Sequence, residues 1–547
     1  MKKIIIASSL MLLTAVSCKK QLDIKDVNNP SLTSASTEAG VISLAQGTIY
    51  KNGFFDVKYT DGVFGRFWAG ATGFHEMMGD VIGIEAANAY LNQLGCPNKV
   101  TLDNASIVLN PSAVNTQYAM LRSVNVNAQL GGNPTFYEWA YMYNMIVACN
   151  TVLDLAGKST YTSETASKKA AISAWAYWWK GYAYARIGSI YYAGVIQNST
   201  FEEQLTNGNY VTKENLIAQS NIMFDNCATQ LGAVTSTAAY NDVVGKLVPS
   251  FLQTGKGGVP SVAVWKRNIN TMKARNILVN TPVASMSAAQ WSSVLTLTST
   301  GIQSGDIIFT GRTNAGGDFL GTTIADKIAS GATATGTYKL SERWVQDFKP
   351  GDQRFANNVR SLNAGVGNFN QDRGNSFNTR YTLRKAGLGL AGVVVYANSD
   401  PGLNEITLCG TFEENELMKA EATMYAAAFT PASISAAMGM IDNVRNYQGA
   451  GLAPTVATST TVAKEELRKE RRIGLAFKGL SFYDARRWDI IDPTKSRTGC
   501  IVLAGTAGVL NTNATINYGF LDYWDVPDNE LAYNPAAAGS APVKNPK

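Results

Sequence analysis

One histidine, His75, serves the entire 547-residue chain, and that scarcity excludes more chemistry than any motif suggests. Three-histidine zinc sites, HExxH helices and histidine-based proton relays need more imidazoles, or would have to run through His75 alone. His75 lies in Trp68-Ala-Gly-Ala-Thr-Gly-Phe-His75-Glu-Met-Met-Gly-Asp80, an apolar helical setting in which a hydrogen-bonded structural imidazole is the common outcome. The densest acidic cluster, Glu413, Glu414, Glu416 and Glu421, falls mostly along one helix. Glycoside hydrolysis instead needs two carboxyls facing each other about 5–9 Å apart across a sugar. Gly387, Gly389 and Gly392 spell GxGxxG, but the apolar run Val393 to Tyr396 follows where a dinucleotide fingerprint needs a helix. No GxSxG elbow and no phosphate-cradling lysine loop occurs in the sequence. What remains is non-covalent chemistry. With 10 Trp and 24 Tyr, the chain has ring faces that can cover the C–H faces of sugars while polar neighbours take the hydroxyls. Most of these rings belong to the core, and Trp139, Trp175, Trp178, Trp179 and Trp265 are assigned to helix packing.

The elements that must position such residues are mostly helical. Apolar periodicity predicts helices over Thr37–Lys51, Gly65–Met78, Thr135–Ala156, Ala166–Tyr192, Thr212–Leu231 and Ser261–Asn280. Three more are predicted over Phe412–Phe429, Pro431–Tyr447 and Val462–Lys478. In the fourth of these, Tyr177, Gly181, Tyr184, Gly188 and Tyr191 recur at spacings of three and four, a stripe that lets a neighbouring helix approach closely. The expected fold class is mostly α: a degenerate tetratricopeptide-like scaffold with an irregular, loop-rich region carrying a few short strands. Strands are predicted within Gly301–Thr310 and Gly392–Tyr396. Ser361 to Arg380 holds three Gly and five Asn and excludes a helix. The expected divisions are a leader over 1–17, a tether over 18–36, a helical part over 37–300, a loop-rich region over 301–410 and a C-terminal part over 411–547. Residues 18–547 are expected to form one compact unit.

The leader carries an address. Lys2 and Lys3 precede an apolar run from Ile4 to Val16, too short for a bilayer span of roughly twenty residues. It ends in Ala15-Val16-Ser17-Cys18, small residues before a cysteine, which fits a bacterial lipoprotein signal with Cys18 as the acylated residue. Several acyl chains, each contributing about 0.8 kcal/mol per buried CH2, anchor firmly. Without Lys2 and Lys3 the chain has 45 basic against 41 acidic residues, a net charge of +4 that is too sparse for a nucleic-acid footprint. Five cysteines besides Cys18, with no CxxC pair, do not support a full disulfide framework.

The C-terminal third carries a family likeness. Glu470-Arg-Arg-Ile-Gly-Leu-Ala-Phe-Lys-Gly479 followed by Phe482-Tyr-Asp484-Ala-Arg-Arg487-Trp488 resembles the SusD/RagB family of surface nutrient-binding lipoproteins. Asn415 to Ala422, Met440 to Arg445, Ser341 to Arg354 and Leu521 to Pro535 are similar to further segments of that family. Gly474 and Lys478 stand where the family often has acidic residues, and Lys19 and Lys20 follow Cys18 in place of an acidic run. Glu470, Arg471, Arg472, Asp484, Arg487 and Trp488 are read as a structural charge network joining a helix to the next loop.

The resemblance implies a non-enzymatic lipoprotein of the outer membrane, facing the cell exterior. It would bind a glycan or another nutrient and hand it to a SusC-like TonB-dependent transporter, with no cofactor, no metal and no nucleic acid. A lipid-anchored glycoside hydrolase and a helical-repeat scaffold for surface complexes are the alternatives. Ligand contacts are expected outside the repeat helices, from Trp68, His75, Asp80, Tyr90 and Asn92 together with Phe369.

Overall fold

A computed structural model describes residues 36–54, 67–84, 94–110, 114, 116–128, 133–203, 206–253, 255–311, 338–361, 378–383, 406–505 and 507–547. Among them are sixteen α-helices and twelve short strands, a mostly α fold. The helices of the first part are α1 (Glu38–Ala45), α2 (Phe67–Met78), α3 (Gln117–Val124), α4 (Pro134–Lys158), α5 (Thr165–Ile190), α6 (Lys213–Gly232), α7 (Thr237–Leu247), α8 (Val262–Val279) and α9 (Ala288–Ser299). The second part adds α10 (Glu342–Val345), α11 (Gln353–Asn358), α12 (Phe412–Ala426), α13 (Pro431–Tyr447), α14 (Thr460–Gly474), α15 (Ser481–Arg487) and α16 (Asp528–Leu531).

Local chemistry sets the helix starts. Thr212, Ser236, Ser261, Thr411, Thr430 and Ser459 each cap the helix that follows by accepting a backbone N–H from its first turn. Asn133 does the same for α4, where Pro134 supplies the preset φ of a first helical residue. Helix ends depart from the expected ones where the backbone turns left-handed. α12 stops at Ala426, before Ala428 (φ 49°) and Phe429 (φ 58°). α14 stops at Gly474, before a turn in which Phe477 (φ 61°) and Gly479 (φ 69°) are left-handed. The helix expected over Thr37–Lys51 is α1 continued by a π turn (Gln46–Tyr50) and a 3-10 turn (Lys51–Phe54).

Sequence neighbours pack as spatial neighbours: α4 on α5, α5 on α6, α8 on α9 and α12 on α13. α5 is the axis of the first part, buried nearly all round. Its Trp175, Trp178 and Trp179 join Trp265 of α8, Phe309 and Tyr50 in one aromatic cluster. Tyr50 stacks on Trp179 at 4.7 Å between centroids, and Trp175 meets Phe309 edge-on at 5.7 Å. Gly181 and Gly188 let α6 close against α5. A Cβ on Gly181 would lie 2.9 Å from the Phe224 ring, and one on Gly188 would lie 3.0 Å from the Lys213 carbonyl oxygen. A smaller core beside it, built on Trp291, Leu278 and Met418, joins α9, α8 and α12.

The strands brace the ends of loops. β1 (Ile82–Ile84) pairs antiparallel with β7 (Tyr338–Leu340), and β8 (Val359–Ser361) with β9 (Tyr381–Leu383). β4 (Ala193–Val195) pairs with β5 (Tyr210–Thr212), and β6 (Thr310–Gly311) with β10 (Ile406–Thr407). One four-stranded sheet has the order β11 (Arg497–Ala504), β12 (Val509–Asn517), β2 (Lys99–Thr101), β3 (Ile107–Leu109). Of the strand expected within Gly301–Thr310 only Thr310 belongs to a ladder and Ile308 makes an isolated bridge to Gly257; the rest is turn and coil after α9. Gly392–Tyr396, Gly387 and Gly389 lie outside the described residues. Cys96, Cys149, Cys227, Cys409 and Cys500 are buried free thiols. No described helix is long and apolar enough to cross a membrane.

Candidate functional site

α2 runs into Gly79 and Asp80, and Asp80 adopts a left-handed backbone (φ 55°) that few non-glycine residues tolerate. Its side chain is gripped on every lone pair. Arg343 donates Nε to Oδ2 at 3.0 Å and Nη2 to Oδ1 at 2.8 Å, Ser341 Oγ donates to Oδ1 at 2.7 Å, and the Tyr518 hydroxyl donates to Oδ2. Arg472 holds the backbone by donating to the carbonyls of Gly79 (2.7 Å) and Asp80 (2.9 Å). Burial pushes the Asp80 carboxyl up, but Arg343 and Arg472 outweigh it and hold the group well below the usual carboxylate range.

This lock sits where long connections take root. Asp80 leads into β1, and Leu340, at the end of β7, precedes Ser341. Ile84 faces Tyr338, so the end of β1 and the start of β7 lie opposite each other. β9 packs against β7, and its partner β8 leads into 362–377. Arg380, just before β9, donates its backbone N–H (2.7 Å) and Nη2 (2.7 Å) to Glu342 of α10. Three long connections therefore start or finish at one corner.

Behind the corner the motif residues form a buried ionic lattice. Asp347 accepts from Arg468 Nη2 (2.7 Å), Arg472 Nε (2.7 Å) and Arg497 Nη2 (3.5 Å). Burial raises its pKa, and these three guanidiniums bring it down to about 2. Glu470 accepts from Arg354 Nη1 (2.5 Å) and Arg445 Nε (2.8 Å). Asp484 accepts from Arg471 Nε (2.9 Å) and Arg487 Nε (2.7 Å), and Arg487 spans both Glu421 oxygens at 2.7 Å each. Trp488 donates Nε1 to Glu421 at 3.4 Å. The network thus ties α14 to α15 and reaches further, to α12 through Glu421 and to α11 through Arg354. Buried pairs of this kind specify geometry more than they stabilise.

Two sequence candidates for ligand contact are occupied elsewhere. His75 is sealed in the core: Nε2 lies 2.9 Å from Glu138 Oε2, whose other oxygen accepts Arg186 Nε at 2.6 Å. Burial pushes the imidazole pKa down, while Arg186 and His75 keep Glu138 at about 2 against its own burial. Asp80 has its acceptors filled by Arg343, Ser341 and Tyr518, so its role is to hold the corner rather than meet a ligand. Next to His75, Glu76 accepts the Gly479 N–H at 2.8 Å, and burial pushes its carboxyl up to about 7. Trp68 stands in the first turn of α2, and its side chain lies outside the described residues, as do Cys18, Tyr90, Asn92 and Phe369. Three of the four acids in the α12 cluster are spent on separate ion pairs: Glu413 with Lys256 (3.3 Å), Glu414 with Arg275 (2.5 Å) and Glu421 with Arg487. Arg343, Tyr518 and Asp347 were not singled out in the sequence, where no local signal joins them to Asp80 or Arg472.

No protein-family model matches the sequence, and no curated protein matches it. Solved structures do match in fold. A SusD superfamily protein from Parabacteroides distasonis aligns over 92% of this chain and 99% of its own, with a TM-score of 0.56 and 12% identity. A SusD-like carbohydrate-binding protein from Bacteroides fragilis aligns over 92% and 99%, with a TM-score of 0.55 and 15% identity. A SusD-like carbohydrate-binding protein from Bacteroides vulgatus aligns over 93% and 98%, with a TM-score of 0.54 and 13% identity.

Proposed function

On the premise that this chain has the SusD-like fold over 92–93% of its length, we propose that it is a non-enzymatic outer-membrane lipoprotein that binds a glycan or another nutrient. It is anchored through Cys18, faces the cell exterior and delivers its ligand to a SusC-like TonB-dependent transporter. The observation that carries this reading is the corner at which 85–93, 312–337 and 362–377 take root on the Asp80–Arg343 lock. The first of these segments contains Asn88, Tyr90, Asn92 and Gln93, and the last contains Phe369 between Asn368 and Asn370. Rings beside amides suit a sugar, whose C–H faces stack while its hydroxyls bond. Two solved proteins of the same fold are described as carbohydrate-binding, which supports a glycan as the first ligand class to try. A hydrolase is disfavoured by the commitment of Glu413, Glu414 and Glu421 to separate cations. The outer surface of the repeat helices is left to dock on the transporter.

The test is a titration of the purified chain against an oligosaccharide panel, with product analysis of the same samples. Binding without cleavage is expected, weakened about tenfold by Tyr90→Ala or Phe369→Ala. Product formation lost on mutating one Asp or Glu overturns the reading. Variants that bind the panel normally but lose the transporter show that the two faces are exchanged.

A further inference from the structure

A cavity of about 330 Å³ opens where the C-terminal ends of α5 and α8 meet the start of α6 and the segment after β12. It shares no lining residue with β1, β7, β8 or β9. Its size falls at the lower end of small-ligand sites, which run from about 300 to 1,000 Å³. Four rings line it, Tyr118, Tyr192, Phe520 and Tyr523, beside the aliphatic Val279 and Ile491. Two of these rings are fixed by cations. Arg486 lies 4.0 Å from the Tyr523 centroid, and Lys213 Nζ lies 4.9 Å from Tyr523 and 5.3 Å from Tyr192.

The cations in the wall are already engaged. Arg486 donates to the carbonyls of Ser189 (2.6 Å), Asp522 (3.0 Å) and Val279 (2.8 Å), so it acts as a wall rather than an anion hook. Lys213 pairs with Glu214, and Lys547 with Asp522 at 2.7 Å. Asp492 accepts from the Thr494 N–H (2.8 Å) and hydroxyl (2.6 Å). An anionic ligand would have to displace one of these partners from its cation. By contrast, the Tyr118 and Tyr192 hydroxyls have no hydrogen-bond partner among the described residues. Burial and the carboxylates of Asp522 and Asp492 push the Tyr118 hydroxyl up to about 12, so it stays a donor at neutral pH.

From this juxtaposition of ring faces, free phenolic hydroxyls and cations held by other partners we propose that the cavity binds a neutral, hydroxyl-rich ligand of one or two sugar rings. This site is separate from the loop-borne one and stands or falls independently of it. The C–H face of a pyranose lies on the Tyr192 ring, and its hydroxyls meet those of Tyr118 and Tyr192.

Saturation-transfer NMR on the full-length chain in an amine-oxide detergent tests it, with maltose and cellobiose as probes and glucuronate and glucosamine as charged comparators. At least one neutral disaccharide is expected to bind, weakened about tenfold by Tyr192→Ala and about threefold by Tyr118→Phe, and unaffected by Phe369→Ala. Melting temperatures accompany each variant, and if Tyr192→Ala lowers its own, Tyr118→Phe decides. Neutral disaccharides whose signal ignores the deciding variants, or tighter binding of either charged sugar, overturn the proposal.

Discussion

Asp80 and Arg343 stand 263 residues apart in the chain, yet they meet through two parallel N–H···O bonds of 2.8 and 3.0 Å. Each secures one side of the same strand pair: Asp80 leads into β1, and Arg343 follows β7. A left-handed aspartate and a buried guanidinium are each unfavourable alone. Together they hold the positions at which two long connections leave and return.

Removing one partner should therefore be expensive. Arg343→Met leaves a buried carboxylate unpaired and is expected to lower stability by about 3–5 kcal/mol at pH 7 in urea denaturation. Asp80→Asn should cost a comparable amount, with a pH signature. The folded pKa of Asp80 lies below its ordinary 3.8, so its contribution is present above about pH 4 and is lost as pH falls further. The gap between wild type and Asp80→Asn should shrink below pH 4. A gap of constant size from pH 7 to pH 3 counts against the lock.

Glu76 predicts the opposite slope. Its folded pKa is raised from 4.5 to about 7, so the folded state pays nothing below pH 4.5 and carries a growing penalty as pH rises to about 7. The full penalty above that is about 3 kcal/mol. Glu76→Gln keeps a carbonyl for the Gly479 N–H and should be more stable than wild type at pH 8, the two converging at pH 4.5. Thermal unfolding at both pH values reads this directly, and a mutant less stable at pH 8 refutes it.

Gly181→Ala tests the approach of α6 to α5. The added methyl meets the Phe224 ring at 2.9 Å and the Ser220 carbonyl oxygen at 3.2 Å. Overpacking of this kind costs about 1–3 kcal/mol. Gly157→Ala, in α4 with nothing within 4 Å of the new methyl, should be neutral or slightly stabilising. Equal effects at the two glycines would contradict close packing as the cause.

Cys18→Ala should release the protein from the membrane into the periplasm or medium. Fractionation with a high-salt wash distinguishes this from charge-mediated adhesion. Continued membrane association of the mutant rules out Cys18 as the anchor.

Helix existence was legible because periodicity and caps are local: Thr212, Ser261 and Thr430 sit one residue before helices that run close to their expected lengths. The ends of α12 and α14 were not legible, because non-glycine residues such as Phe429 and Phe477 take left-handed backbones that sequence does not advertise. The β11–β12 hairpin escaped for a related reason, since its pairing shifts register between Arg497 and Val502 and its alternation is broken. At the site, His75 and Asp80 looked available because their partners are remote. Glu138 lies 63 residues from His75 and Arg343 lies 263 from Asp80, and pairing across such distances leaves no local trace. The cavity of Tyr118, Tyr192 and Tyr523 is likewise assembled from segments some 400 residues apart.

Pairing of both ends of a connection on the scaffold has an evolutionary corollary. When Ser361 and Tyr381 are held opposite each other by the sheet, the span between them can be rewritten or lengthened without disturbing either terminus. Each doubling of a flexible span adds only about 0.6 kcal/mol of closure entropy. The cost of rewriting such a span is then small, while the ionic lattice beneath it fixes the geometry of its ends. Such a framework lets the sequence of its spans drift while architecture stays put, which fits the 12–15% identity at which the same fold recurs across three bacterial species.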